Sequence, residues 1–527
     1  MRIVTLLAAV LSCSCTLAMD YHQCNVDTDC ASADGSPQYC TSDGLCLANT
    51  PSERLCTQTI PERPAPSAVH IGALLDLRLV NGQPVEQLPL LALELGVGEI
   101  NSAIELDGIL PLAIDVCNVG TSPIDADNAT RILIDRGVVA IIGPNSAAAA
   151  TDMLSRIKAA GVPAISPAIT DSGIASAASQ GLFFRLAPVE AEQGLQLVTQ
   201  LTNLAGGMST AELGLLNVQT NYGNNIRSRF TAEWQRKDPL RNKTAEFYQY
   251  ADGNADLLAS TTTLLVQAQP RYAVLIPGSD SVAAINSLAG LPLDPRDPSG
   301  STPLLMSSSG RTVELLDAAK SGTPTVKNHL SRILGVAPLS LVPAEEGNDF
   351  KTSFQAAHPD LQLERDPMVG YTYDALYVIG AGSAVVKGAR NPGQILSFLR
   401  LLNNNAMSLS LRATSFKETV AALTQNPNDP VTLLGVTGAI ASPTFTIGRL
   451  YEGQSQRMPV AHLDLYRLGG LESEDPGLLA EYFGPDRVSF VEWPGGASGE
   501  LSEMATRTIR VAIDHVDAES RRISVSY

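Results

Sequence analysis

"VVAIIGPNSAAAATDMLSRIKAAGVPAIS", Val138–Ser166, decides how the chain folds. It reads as the strand "VVAIIGP", the helix "AAAATDMLSRIKAAG" and the strand "VPAIS". The same alternation precedes it. "VHIGALLDL" is an apolar strand, and Leu91, Leu95 and Ile100 give helical spacing in "LLALELGVGEIN". "LPLAIDVC" is a strand and "DADNATRILID" a helix. Unbroken apolar strands alternating with amphipathic helices imply βαβ units and a parallel sheet covered on both faces. A second series runs through "AELGLLNV", "RYAVLIP" and "TPLLMSS". The expected fold class is α/β, with two doubly wound lobes.

The chain has 527 residues, 44% hydrophobic and 17% charged, which suits a globular protein of two or more domains. Its formal charge of −18 repels phosphate backbones, so no nucleic-acid partner is expected. "MRIVTLLAAVLSCSC" has one arginine, a short apolar run and small residues, the layout of a secretory leader. It resembles a bacterial lipoprotein signal with Cys13 as the lipidated residue; Cys15 and an ordinary cleaved leader are the alternatives. Five of the eight cysteines, Cys24, Cys30, Cys40, Cys46 and Cys56, lie in a polar segment too short for a core. Such a segment needs covalent staples, and the wide spacings without clustered His disfavour zinc. Four of the five suffice for two local bridges, leaving Cys56 for Cys117, with the connectivity open. Pro61, Pro64 and Pro66 then mark a semi-rigid linker.

"HIGALLDL", "EIN", "VVAIIGPNSAAA", "VPAISPAITDS", "FFRLAP", "NYGNNIRSRF" and "GYTYDALYVIGAGSAV" occur in the order seen in type I periplasmic solute-binding proteins. The resemblance to this leucine/isoleucine/valine-receptor type runs from about Val69 to about Gly438. It implies two hinged lobes closing on a small ligand, and ABC importer membrane subunits as partners. Open α/β sheets bind ligands beyond their strands' carboxyl ends, against helix N-termini. "GPNSA" puts Ser146 and Ala147 there, "SPAIT" puts Ala168 and Thr170 there, and "NYG" puts Tyr222 on the opposite lobe. Structural roles compete at each: an N-cap for Ser146, a turn for Thr170, lobe packing for Tyr222. Ala147 stands where the amino-acid receptors commonly carry a carboxylate-gripping serine. Ser309, in "LMSSSGR", stands near their acid for the ligand's ammonium. The ligand is therefore expected to be small and polar, an amino acid or an analogue. The six histidines show no metal spacing, and neither a G-x-S-x-G elbow nor a phosphate loop occurs. No catalytic residue, metal or cofactor is expected in the body.

"LLGVTGAIASPTFTIG", Leu433–Gly448, changes character midway. "SPTFTIGRLYEG", "VAHLDLYRLGG", "EYFGPDRVSFVEWP" and "RRISVSY" resemble the TsaE family, the ATPase of tRNA threonylcarbamoyladenosine modification. The resemblance implies a switch segment at Thr444, a magnesium-assisting acid at Asp464, and Glu492 and Trp493 at the catalytic site. Two surface acids on strand ends are the plainer account of Asp464 and Glu492. That family's G-x-x-x-x-G-K-[ST] loop is missing where "LTQNPNDPVTLL" stands, along with its central first strand. Without the loop nothing holds the β-phosphate or magnesium. ATP and magnesium would be cofactors only if that reading held, and the tail is expected to be a truncated, inactive P-loop-type fragment.

The expected organisation is a signal peptide over 1–12, a Cys-rich segment and linker over 13–67, a solute-binding domain over 68–434 and a TsaE-like fragment over 435–527. The expected function is an exported, lipid-anchored binding protein for import or sensing, at the periplasm or cell surface. The alternative is a TsaE-type ATPase subunit. A lobe of this type needs its final segment to return across the hinge and complete the second lobe. Here that return falls after Gly438, where "ASPTFTIGRLYEG" alternates like one strand and the tail beyond it is expected to be loosely attached.

Overall fold

The computed structural model describes residues 24, 38–40, 46–48, 55–80, 82–105, 108–171, 174, 181–204, 213–237, 245–268, 270–278, 280–287, 304–310, 315, 317, 320, 330, 333–337, 341, 349–363, 366, 368–388, 391–440, 448–451, 460–464, 483, 488–492, 501, 505–515 and 521–526. Cys13, Thr444 and Trp493 lie outside them. In the Cys-rich segment, β1 (Gln38–Cys40) pairs antiparallel with β2 (Cys46–Ala48). Cys24 is buried and disulfide-bonded. Cys56 is joined to Cys117, which fastens this segment to the first lobe.

The first lobe is built from β3 (Gln58–Ile60), β4 (Val69–Leu75), the small hairpin β5 (Leu79–Val80) and β6 (Gln83–Pro84), α1 (Gln87–Ile104), β7 (Leu112–Asn118), α2 (Pro123–Asp135), β8 (Ile141–Ile142), α3 (Ala147–Ala160), β9 (Ala164–Ser166) and β10 (Phe183–Arg185). Its sheet has the order β10-β9-β8-β4-β7-β3, with β3 antiparallel to β7 and the other pairs parallel. β4 and β7 are buried nearly throughout because helices cover both faces, which is why they read as continuous apolar runs. Ser122 caps α2 with Pro123 at its first position, and Gly161 closes α3 in the left-handed region. The edge strand β3 is held by the buried Asp115, which accepts from Thr59 Oγ1 at 2.9 Å and pairs with His70 Nδ1 at 2.8 Å. Burial pushes the Asp115 carboxyl up, but His70 and Arg136 outweigh it and hold it below the usual range.

The second lobe contains α4 (Glu190–Leu204), β11 (Leu213–Val218), α5 (Asn221–Lys237), β12 (Ala245–Tyr250), α6 (Ala255–Ala268), β13 (Tyr272–Ile276), α7 (Ser281–Ser287), β14 (Leu304–Met306) and β15 (Ile333–Gly335). Its sheet is parallel, in the order β12-β11-β13-β14-β15. α4 and α5 pack on one face and α6 and α7 on the other.

The chain then runs through α8 (Asp349–Ala357), α9 (Val369–Val385), α10 (Pro392–Leu399), β16 (Leu402–Ser410), α11 (Phe416–Gln425), β17 (Val431–Gly435) and β18 (Gly438–Ile440). α9 is buried from Val369 to Ala384, so it shows no polar face and reads as continuously apolar. This segment packs on the first lobe, whereas the return to the second lobe expected after Gly438 falls largely outside the described residues. Phe350, Tyr377, Phe416, Leu433, Val436 and Ile440 join the first-lobe core beside Ile71 and Ile114. "GVTG" is held there by Asp374, in "TYDAL" of α9. Its buried carboxylate accepts from Val436 N at 2.8 Å, Thr437 N at 2.9 Å and the Thr437 hydroxyl. Gly435 lies so close that a Cβ would collide with the Asp374 carboxylate, which explains a glycine inside an apolar strand.

Beyond lie β19 (Gly448–Tyr451), β20 (Val460–Asp464), β21 (Val488–Glu492) and the hairpin of β22 (Arg510–His515) with β23 (Arg521–Ser526). β20 pairs antiparallel with β19 and parallel with β21. Among the described residues, none beyond Ile440 joins the four apolar clusters of the lobes. Phe490, Val511, Ile523 and Val525 are all more than half exposed, at 59%, 58%, 64% and 53%.

Candidate ligand site

On the first lobe, three strand ends converge. After β8, Ser146 caps α3, its Oγ accepting from Ala149 N at a long 3.4 Å. A weak cap leaves the hydroxyl proton and the first-turn N–H groups open to an acceptor. Ala147 is the first residue of α3 and half-buried. After β9, the buried Ser166 ties the two turns together, donating to Pro144 O at 2.7 Å and accepting from Ile169 N at 3.1 Å. Ala168 and Thr170 flank Ile169 and are half-buried. After β4, Asp76 is gripped by Arg78, Nε donating to Oδ1 at 2.8 Å, and this holds its carboxyl below the usual range. Glu86 accepts from Asp76 N at 2.8 Å. Burial pushes the Glu86 carboxyl up to about 7, against hydrogen bonds from Asp76 N and Asn145.

On the second lobe, the ends of β11 and β14 meet α4. Ser309 N donates to Tyr222 Oη at 3.1 Å, so the structure brings together two residues that the sequence singled out separately. Ser309 Oγ donates to Pro277 O at 2.6 Å. Tyr222 Oη lies 3.3 Å from Ser308 Oγ and 3.5 Å from Gln193 Oε1. Gln193 Oε1 also accepts from Ser308 N at 2.8 Å. Gly223 lets α5 start against the end of β11, since a Cβ there would strike Val218 O. The lobes join where Glu190 N, opening α4, donates to Thr170 O at 2.8 Å. Gln193 is one helical turn further on.

Sequence reading missed Gln193, Ser308, Glu86 and Asp374. Gln193 carried a usable signal: it occupies a core position of α4's helical pattern with Gly194, Leu197, Val198 and Leu201. A polar residue on a buried stripe needs a partner. A concavity of ≈ 430 Å³ on the outer side of α5, lined by Arg227, Thr231 and Gln235 among others, belongs to one helix and joins no two elements. In the tail, Asp464 and Glu492 are register partners on β20 and β21, and Glu492 is exposed. Among the described residues no three His, Cys, Asp or Glu side chains are grouped to hold a metal.

Two parallel α/β lobes joined at a crossing, with polar groups at both carboxyl edges, define a two-lobed binding protein. The chain belongs to the periplasmic binding protein family, whose match runs over residues 68–400. It is similar in structure to a Rhodopseudomonas palustris solute-binding protein of an ABC transporter in complex with benzoate, at 17% identity and a TM-score of 0.46. That likeness covers 71% of this chain and 88% of that one. It is also similar to the branched-chain amino acid transporter substrate-binding protein LivJ of Streptococcus pneumoniae in complex with isoleucine, at 16% identity and a TM-score of 0.45, covering 71% and 98%. Residues 428–523 match threonylcarbamoyl adenosine biosynthesis protein TsaE. The TsaE protein of Streptomyces coelicolor is 38% identical over 95 residues, which are 18% of this chain and 64% of that protein. That of Synechocystis is 48% identical over 65 residues, 12% and 40% respectively. The chain thus spans less than two thirds of these relatives.

Proposed function

We propose that this chain is the exported solute-binding component of an ABC-type import or sensing system, holding a small polar ligand between its lobes without converting it. The observation that carries this reading is the polar group of Tyr222, Ser308 and Ser309 held by Gln193, one helical turn from the Thr170–Glu190 hydrogen bond that joins the lobes. Ser146, Ala147, Ala168 and Thr170 bind from the first lobe, Tyr222 and Ser309 from the second. An amino acid or an analogue fits the size of such a site. Cys13 carries the lipid that keeps the protein at the membrane surface, where importer subunits meet it. The tail is read as inactive, because "LTQNPNDPVTLL" offers no lysine and no glycine-rich loop, and β17 packs into the first lobe instead.

A thermal-shift screen against amino acids, short peptides, amides and carboxylates tests the reading. A ligand at 100 times its Kd stabilises by about 2.7 kcal/mol, and Tyr222→Ala abolishes that shift. Magnesium-ATP in the same panel gives no shift, and labelled fatty acid is incorporated unless Cys13 is replaced by Ala. Silence to the entire panel defeats solute binding.

A further inference from the structure

Gln193 is only 6% exposed, and its Nε2 has no acceptor among the described residues. The carboxamide cannot be turned over, because Oε1 faces the Ser308 N–H, and the opposite orientation would set donor against donor. Tyr222 Oη already accepts from Ser309 N, and its own proton has only the 3.3 Å and 3.5 Å contacts to Ser308 and Gln193. Ser309's proton is committed to Pro277 O. Gln193 Nε2 is therefore the unsatisfied donor of this wall, and the hydroxyl pair of Tyr222 and Ser308 beside it can turn a further proton toward an acceptor. Of the two acids in this helix's first turn, Glu190 and Glu192, the buried Glu190 accepts from Asn225 Nδ2 at 2.6 Å.

We propose that this second-lobe wall takes an oxygen acceptor of the ligand, a carboxylate or a carbonyl, rather than an ammonium group, and that Gln193 sets the preference. The proposal rests on the solute-binding reading above and names the ligand's chemistry. An ammonium brings three donors and no acceptor, so it would leave Gln193 Nε2 unpaired and find only neutral hydroxyl oxygens to offset its charge. A carboxylate or carbonyl oxygen pairs with them. The ligand is then an organic acid carrying a second oxygen function, such as a 2-oxo acid or a dicarboxylate.

Calorimetry with two matched pairs tests this: 4-methyl-2-oxopentanoate against leucine, and glutarate against 5-aminopentanoate. Members of each pair differ at one position, oxygen acceptor against ammonium. In at least one pair the oxygen member should bind ten times or more tightly than its amine twin. Gln193→Glu keeps the Oε1 that receives Ser308 N but removes the amide donors. At pH 8 it should cost the oxygen member tenfold or more and favour the amine, with the melting temperature of the free protein reporting that the fold is kept. Tighter binding of the amines, equal binding within both pairs, or indifference to Gln193→Glu overturns the donor wall and leaves solute binding standing. No response to these four or to the wider panel overturns both.

Discussion

Glu86 and Asp374 are carboxyls that burial makes harder to ionise. Burial raises Glu86 from 4.5 to about 7 and Asp374 from 3.8 to about 6. Between the unfolded and folded values the native state binds more protons than the unfolded chain, so stability falls as pH rises through that window. We predict a higher melting temperature at pH 5 than at pH 7.5. Glu86→Gln should flatten the decline, by on the order of 1–2 kcal/mol since Glu86 is only partly shielded from water. A melting temperature that rises from pH 5 to pH 7.5, or a slope unchanged in Glu86→Gln, would contradict this. Below about pH 4 the direction reverses, because Asp76 and Asp115 are held low and their stabilisation is lost as they protonate. None of this was legible in the sequence. Besides its burial, Glu86 feels a hydrogen bond from Asn145 and the charge of Asp366, both far away in the sequence. No local pattern encodes such a pairing. Tyr222 and Ser309 were singled out through the family resemblance, whereas their mutual hydrogen bond was not legible.

The turn "GVTG" shows how an element can answer to two descriptions. Its sequence suits both halves of the chain, yet Asp374 accepts three hydrogen bonds from it and Gly435 makes room for that carboxylate. Asp374→Ala strands two backbone N–H groups, at about 1–3 kcal/mol each. We therefore predict a loss of roughly 2–5 kcal/mol in chemical denaturation, with Gly435→Ala also destabilising. If Asp374→Ala were neutral, the turn would be held by something else. In the sequence "GYTYDALYVIGAGSAV" stood out only as a family motif. That it forms the buried centre of the first lobe follows only from what packs around it, on α1, α8 and β17. A helix apolar on every side announces burial but not its neighbours.

The two lobes were readable in the sequence from the alternation of apolar runs and amphipathic stretches, because each βαβ unit fixes its own pattern. Where the closing segment docks was not, since β16–β18 carry no label saying which lobe they join. Their docking on the first lobe gives a physical reason for where the tail becomes dispensable. Val431, Leu433, Val436 and Ile440 lie in the first-lobe core, between 0% and 3% exposed. Burying each is worth about 1.5–3 kcal/mol, so the four together are comparable with the roughly 5–15 kcal/mol that holds a domain folded. The strands beyond Ile440 add no described residue to that core and leave Phe490, Ile523 and Val525 exposed. Limited proteolysis should accordingly trim the chain between about Gly448 and Pro459 and leave a resistant body. A form ending at Gly448 should melt within a few degrees of the full chain and keep any ligand-induced shift. One ending at Pro430 should fail to fold cooperatively. Should the Gly448 form unfold, or lose ligand binding, the tail is part of the binding lobes. Should the Pro430 form remain as stable as the full chain, β17 and β18 are not the closing strands of the first lobe.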